Sequence, residues 1–178
     1  FKSKSSYREY ITWVNDCNTD SHQEFWSSYL NGFTPKTLLP SKRKKQTGET
    51  YRYGEAVINL SNKETKELSN FATKNQVTLN TVCQAAWSIL LSRHNESEDV
   101  LFATSKTTRA AADIDGSDDC VGLCLATLPL RVKLVSELKV SELLYNIRKD
   151  WVALRPYEHS SLVDIAKWSS INGTGGLA

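Results

Sequence analysis

The sequence contains no methionine, and it opens on Phe1. A bulky second residue blocks removal of an initiator methionine, so the expectation is that Phe1 lies inside a longer polypeptide. Only four prolines and eight glycines occur in 178 residues, which excludes collagen-like and low-complexity classes. No run of 18 apolar residues is present, so no membrane-spanning helix and no membrane partner is expected. No secretory apolar segment opens the chain, and the cytosol is the expected compartment. The triplets at Asn59, Asn95 and Asn172 fit the glycosylation pattern by chance spacing, since they matter only in a secreted protein.

Charge of one sign is also missing. With 22 basic and 20 acidic residues the formal charge is +2, without the strong basic excess of a nucleic-acid binder. The run Lys42–Lys45 reads as a solvated loop patch, and no nucleic-acid partner is expected. The four cysteines form no CxxC pair and three histidines accompany them, so no metal site is expected. Cys83 falls in an apolar helical run, where a thiol acts as a small core residue. Cys120 and Cys124 have apolar neighbours and no nearby histidine, which argues against a catalytic thiol.

What is present is ordinary globular material, 40% hydrophobic and 24% charged. Apolar spacing predicts helices over Tyr7–Asn15 and Ser21–Leu30, the second capped by Asp20 and ended by Asn31-Gly32. A loop follows over Pro35–Gly48, then a strand over Thr50–Leu60. Ser61 and Glu64 make a capping box for a helix to about Asn75. Thr78 caps the strongest helix, Leu79–Arg93, with Val82, Ala85, Ala86, Ile89 and Leu90 expected as its buried side.

Asp99–Ser105 reads as a strand, Thr107–Asp119 as a polar loop carrying Arg109, and Gly122–Val135 as a buried strand. Pro129 removes a ladder donor from the last, so an edge or a bulge is expected there. Ser141–Ala153 reads as a helix ended by Pro156, and Ser161 with Asp164 opens a short helix to Trp168. Strands alternating with helices give an α/β or α+β class.

No self-contained catalytic constellation is visible: there is no GxSxG, P-loop, GxGxxG or HExxH motif. His94 with Asp99 and His159 with Asp164 are each five apart, and both read as chance spacing. His22, in a first helical turn, reads as a surface residue.

Several stretches, in order, resemble the condensation domain of non-ribosomal peptide synthetases. They are Tyr7-Arg-Glu-Tyr-Ile-Thr-Trp13, Glu24-Phe-Trp26 with Leu38-Leu-Pro40, and Thr78–Arg93. Asp99-Val-Leu-Phe102 with Arg109, and Pro156-Tyr-Glu-His-Ser-Ser-Leu162, continue the series. The most specific is Val121-Gly-Leu-Cys-Leu-Ala-Thr-Leu-Pro-Leu-Arg131, similar to the family's (I/V)GxFVNTxxxR motif. Two positions depart from it: Cys124 replaces the usual phenylalanine and Ala126 the usual asparagine.

The resemblance implies a chloramphenicol-acetyltransferase-like lobe, a mixed sheet flanked by helices, with residues 1–178 as the C-terminal lobe. The HHxxxDG motif is absent from the chain, so no catalytic residue is assigned to it. Implied partners are the N-terminal lobe, donor and acceptor peptidyl carrier proteins and an adjacent adenylation domain. The implied activity is amide-bond formation between carrier-bound thioesters. No cofactor is implied beyond the carriers' phosphopantetheine arms. Arg131 and Arg109, with Thr127 and Ala126, are the implied tunnel or motif-support residues. One of the arginines is expected to hold the aspartate of HHxxxDG across the lobes, and an arginine capping a strand end is the competing role. A non-catalytic recruitment domain and an epimerisation domain remain alternatives, with a basic-loop nucleic-acid module as the class-distinct one.

Overall fold

A computed structural model describes residues 6–17, 19–34, 54–109, 112 and 114–169. The loop expected at Pro35–Gly48, with its basic run, lies outside them. The chain divides into two compact units. One is built from Phe1–Pro35, Asp99–Lys133 and Lys149–Ala178, the other from Lys36–Glu98 and Leu134–Arg148.

The first unit contains α1 (Tyr7–Asp16), α2 (Thr19–Tyr29), β1 (Asp99–Thr107), β2 (Leu125–Lys133) and α6 (Leu162–Trp168). Ser6 and Glu9 form a reciprocal capping box that starts α1. Helix α2 begins two residues ahead of its expected start, so Asp20 falls in the first turn instead of the cap position. An aspartate there still opposes the positive end of the helix dipole. At the other end of α2, Gly32 takes the left-handed conformation (φ +72°) that glycine adopts without steric cost. Ser161 accepts from the Asp164 amide and opens α6 as expected.

β1 and β2 pair antiparallel from Asp99↔Lys133 to Thr107↔Leu125. The register runs unbroken through Ala103↔Pro129, so no bulge forms, and among the described residues β2 has a free edge that spares the proline a ladder bond. Leu128, Leu130 and Val132 share one face of β2 and are buried. The α+β class is borne out, and among the described residues the sheet is this one antiparallel pair. A second core gathers Tyr10, Ala112, Cys120 and Cys124, with Trp13, Val14 and Ile114 against it.

The second unit holds α3 (Asn62–Lys74), α4 (Leu79–Asn95) and the first part of α5 (Val140–Leu154). Ser61 and Glu64 make the expected capping box, and Thr78 caps α4. Three expectations fail here. Residues 50–53 of the expected strand lie outside the described residues, and 54–60 form no strand: Val57 and Ile58 are 68% and 88% exposed, and among the described residues no strand pairs with them.

The buried side of α4 is Thr81, Gln84, Ala85, Ser88 and Leu91, while Ile89 and Leu90 are exposed. The buried side carries small and polar side chains, α4 is in contact with α3, and the Ser88 hydroxyl is satisfied by the Ala85 carbonyl at 2.7 Å. Cys83 lies on the outer arc and is exposed instead of being core.

No helix among the described residues is long and apolar enough to cross a membrane.

Candidate functional site

Two ends of the β1–β2 pair carry the residues singled out in the sequence. Alternation puts Leu125, Thr127, Pro129, Arg131 and Lys133 on one face of β2, with Asp99 and Leu101 of β1 on the same face. Arg131 and Thr127 therefore share a face but lie four residues, roughly 13 Å, apart along the strand. Arg131 sits at the end where β1 begins, and Ala126 and Thr127 sit where β1 ends.

Arg131 is buried and held within the chain. Its Nε lies 3.0 Å from Oδ1 of Asp99 and its Nη2 2.6 Å from Oδ2. Nη1 donates to the carbonyls of Tyr29 (3.0 Å) and Asn31 (2.8 Å), the last residues of the α2 exit. The backbone amide of Arg131 donates to the Tyr29 hydroxyl at 3.0 Å. The hydrogen bonds to Asp99 hold the guanidinium in its charged form, against the opposing effect of burial. Burial likewise pushes the Tyr29 hydroxyl well above the ordinary tyrosine range. The carbonyls at the end of α2 are the acceptors a helix terminus leaves over, so this arginine is both a strand-end clamp and a helix C-cap.

The other end is built by the loop that enters β2. The Thr108 amide donates to the Cys124 carbonyl at 3.0 Å, extending the pairing by one bond. Arg109, the next residue, donates from Nη2 to the Gly122 carbonyl at 3.1 Å. Its Nε is buried and finds no acceptor among the described residues.

Helix α1 closes this loop from the side. The Tyr7 hydroxyl donates to the Leu123 carbonyl at 3.3 Å, and the Tyr7 ring lies over Gly122 so closely that a Cβ there would sit 2.2 Å from it. The Tyr10 and Thr108 hydroxyls share a buried hydrogen bond. Ala126 is half-buried opposite Lys106, and Thr127 is exposed opposite Ser105. Arg109, Ala126 and Thr127 are thus brought to one end of the pair, and Arg131 is not.

A cluster that residue spacing did not reveal lies between α2 and the turn before α6. His22 is buried, correcting its reading as a surface residue, and its Nδ1 is 2.8 Å from the Ser160 hydroxyl. The Trp26 indole donates to the same hydroxyl oxygen at 2.9 Å. The Ser160 oxygen thus ties the two rings together, and the His22 tautomer sets which way its bond to Nδ1 runs.

His159 sets its ring 5.0 Å from His22, tilted 51° to it, and edge-on to Trp13 at 4.6 Å. Burial, with the His22 ring beside it, pushes His159 down to about 4. Asp164 serves the α6 cap and Lys167, and Asp99 serves Arg131, so neither five-residue His–Asp spacing forms a catalytic pair.

Beside the cluster, the buried Glu158 carboxylate pairs with Lys106, whose ammonium also lies 5.0 Å over the Trp151 ring. The run Tyr157-Glu158-His159-Ser160 was the signal available in the sequence: four consecutive polar residues, of which Glu158 and Ser160 are buried.

Among the described residues no group of three or more histidine, cysteine or acidic side chains could hold a metal. Nor does any described cluster assemble a nucleophile, a base and its orienting group in the open.

The sequence model of the condensation domain matches residues 1–175 of the chain. Bacitracin synthase 3 of Bacillus licheniformis is 31% identical over 170 residues, covering 96% of this chain and 3% of the synthase. Tyrocidine synthase 2 of Brevibacillus parabrevis is 36% identical over 159 residues, covering 89% of this chain and 4% of the relative. The chain thus spans a few hundredths of the length of these relatives.

Among solved structures, the first condensation domain of the CDA synthetase superposes with a TM-score of 0.76 at 13% identity, over 100% of this chain and 39% of that one. The X-domain from teicoplanin biosynthesis gives 0.76 at 18% identity, over 96% and 39%. At such identities these two establish the fold, and they agree with the chloramphenicol-acetyltransferase-like lobe expected from the sequence.

Proposed function

The chain belongs to the condensation-domain family, and from that membership we propose that it is the C-terminal lobe of a domain forming the amide bond of a non-ribosomal peptide. In this reading a second lobe carries the HHxxxDG histidine. Donor and acceptor peptidyl carrier proteins present their thioesters on phosphopantetheine arms, and an adenylation domain adjoins them. A general base has to lie within hydrogen-bond reach of the proton it takes, so this lobe contributes walls and supports, and the other lobe contributes the base. Four free cysteines fit a reducing, cytoplasmic setting.

The observation that carries the reading of the site is the assembly of Arg109, Gly122, Ala126 and Thr127 at the end of the strand pair. Arg131 is committed to Asp99 and to the α2 carbonyls. Among the described residues Arg109 makes one hydrogen bond and keeps a buried Nε without an acceptor. A buried donor without a partner costs about 1–3 kcal/mol, which a carboxylate brought by the second lobe would offset. Arg109 is therefore the arginine proposed to support the motif aspartate, and Arg131 the one that secures the lobe.

The test uses the synthetase carrying this chain. Arg109→Ala is expected to lower condensation turnover by about a hundredfold, as loss of a positioned electrostatic contact does, with the thermal midpoint little changed. Arg131→Ala is expected to lower the midpoint first. Wild-type turnover in Arg109→Ala would sink the assignment. Ala126→Asn, which restores the family's residue, is expected to keep or raise turnover.

A further inference from the structure

Cys120 and Cys124 are both buried, both free, and belong to one packed cluster with Tyr10 and Ala112. Burial first, and then the neighbouring Cys124 thiol, push the Cys120 thiol up. The backbone holds them there from both sides. The Cys120 amide donates to the Ser117 carbonyl at 3.0 Å, closing a 3-10 turn, and the Cys124 amide donates to the Gly122 carbonyl at 3.1 Å. The Cys124 carbonyl is in turn fixed by the Thr108 amide. Between them Val121 and Leu123 point outward, so the five-residue loop is a tight arch whose two feet are thiols.

We propose that Cys120 and Cys124 form a reversible intrachain disulfide, closing the loop that leads into β2. Two free thiols packed in one cluster, four residues apart on a tight arch, have to close to about 2.05 Å, a movement made by side-chain rotation. The oxidant is a small-molecule disulfide of the glutathione class. One protein thiol, as its thiolate, attacks a sulfur of the small disulfide and releases one small thiol. The second protein thiol then displaces the other small thiol from the mixed disulfide. In sum, two protein S–H groups and one small disulfide become one protein S–S bond and two small thiols, with both protein sulfurs oxidised and the small disulfide reduced.

Burial disfavours the thiolate, so exchange is slow at neutral pH and proceeds through transient opening of the loop. A closed arch would fix Gly122 and Leu123, the acceptors for Arg109 and Tyr7.

The experiment equilibrates the chain in buffers of oxidised and reduced glutathione, once in native conditions and once in concentrated urea. Acid quenching, alkylation and tryptic cleavage follow. Cleavage at Arg109 and Arg131 leaves both cysteines in one peptide, separate from Cys17 and Cys83. The expected result is an unalkylated peptide about 2 Da lighter than its reduced form, appearing in native buffer at an equilibrium constant at least tenfold above that in urea, or about 30 mV. An equal or lower constant in native buffer would overturn the proposal. So would a peptide that carries two alkyl groups, or a stable glutathione adduct, at every native redox ratio.

Discussion

Arg131 grips Asp99 from two nitrogens, Nε reaching both carboxylate oxygens at 3.0 and 3.2 Å and Nη2 one at 2.6 Å, while its remaining terminal nitrogen holds two carbonyls at the end of α2. One side chain thereby joins the start of β1, the end of β2 and a helix terminus. Asp99 is about a third exposed, so solvent screens part of the ion pair. Alanine leaves both carbonyls without this donor. Arg131→Ala is expected to cost about 3 kcal/mol in urea unfolding. Arg131→Lys should recover less than half of that, because an ammonium cannot reproduce the planar fork. Full recovery by lysine would show that charge alone matters.

Gly122 is required for closeness, not for backbone conformation. A Cβ at this position would lie 2.2 Å from Cδ2 and 2.6 Å from Cγ of Tyr7, and the ring cannot withdraw without breaking its bond to the Leu123 carbonyl. Gly122→Ala should therefore destabilise by about 1–3 kcal/mol, the range for overpacking. In a Tyr7→Ala background the same change should be nearly neutral. A double-mutant cycle on thermal or urea midpoints checks this, and additive effects would exclude the steric account.

The parts legible in the sequence were those whose cause is local. The Ser61–Glu64 box, the Thr78 cap and the Ser161–Asp164 start are each set within four residues, and each stands as read. The strand expected at Thr50–Leu60 shows the limit. Its composition is right for a strand, yet among the described residues 54–60 have no paired neighbour, and pairing is a tertiary fact.

The same limit appears at α4, where periodicity marks an apolar arc but cannot tell which side meets α3. At the site, motif resemblance singled out Arg109 and Arg131 alike. Only the contacts separate an arginine saturated by Asp99, Tyr29 and Asn31 from one with a donor to spare. The His22–Ser160 bond joins residues 138 apart and has no sequence signature at all.

His159 ties stability to pH. Burial, with His22 next to it, lowers its folded-state value to about 4, against an ordinary value near 6.5. Between those values the unfolded chain binds a proton that the folded chain refuses. The contribution is thus full above about pH 6.5 and is lost as pH falls toward 4. Exposed carboxylates such as Glu64 and Asp164, both lowered by hydrogen bonds, also lose stability in acid, whereas the desolvated Asp150 acts the opposite way. A difference measurement removes these common contributions. His159→Phe should flatten the fall in thermal midpoint between pH 6.5 and 4.5 relative to wild type, and a parallel fall would place the acid sensitivity elsewhere.

Lys106 and Glu158 set the last test, because only one of them is deeply buried. Glu158 is 2% exposed, while the Lys106 side chain is 32% exposed and lies over Trp151. Removing the lysine leaves a carboxylate desolvated with no countercharge, the costly half of breaking such a pair. Removing only the carboxylate charge leaves an ammonium that can turn to water. Lys106→Met is therefore expected to cost about 3 kcal/mol and Glu158→Gln about 1 kcal/mol, the inequality being the informative part. The double variant Lys106→Met/Glu158→Gln should be more stable than Lys106→Met alone, since the stranded charge is gone. Urea midpoints of the three variants decide it: if the double variant is the least stable of them, the pair is held together by packing around Trp151 and not by charge.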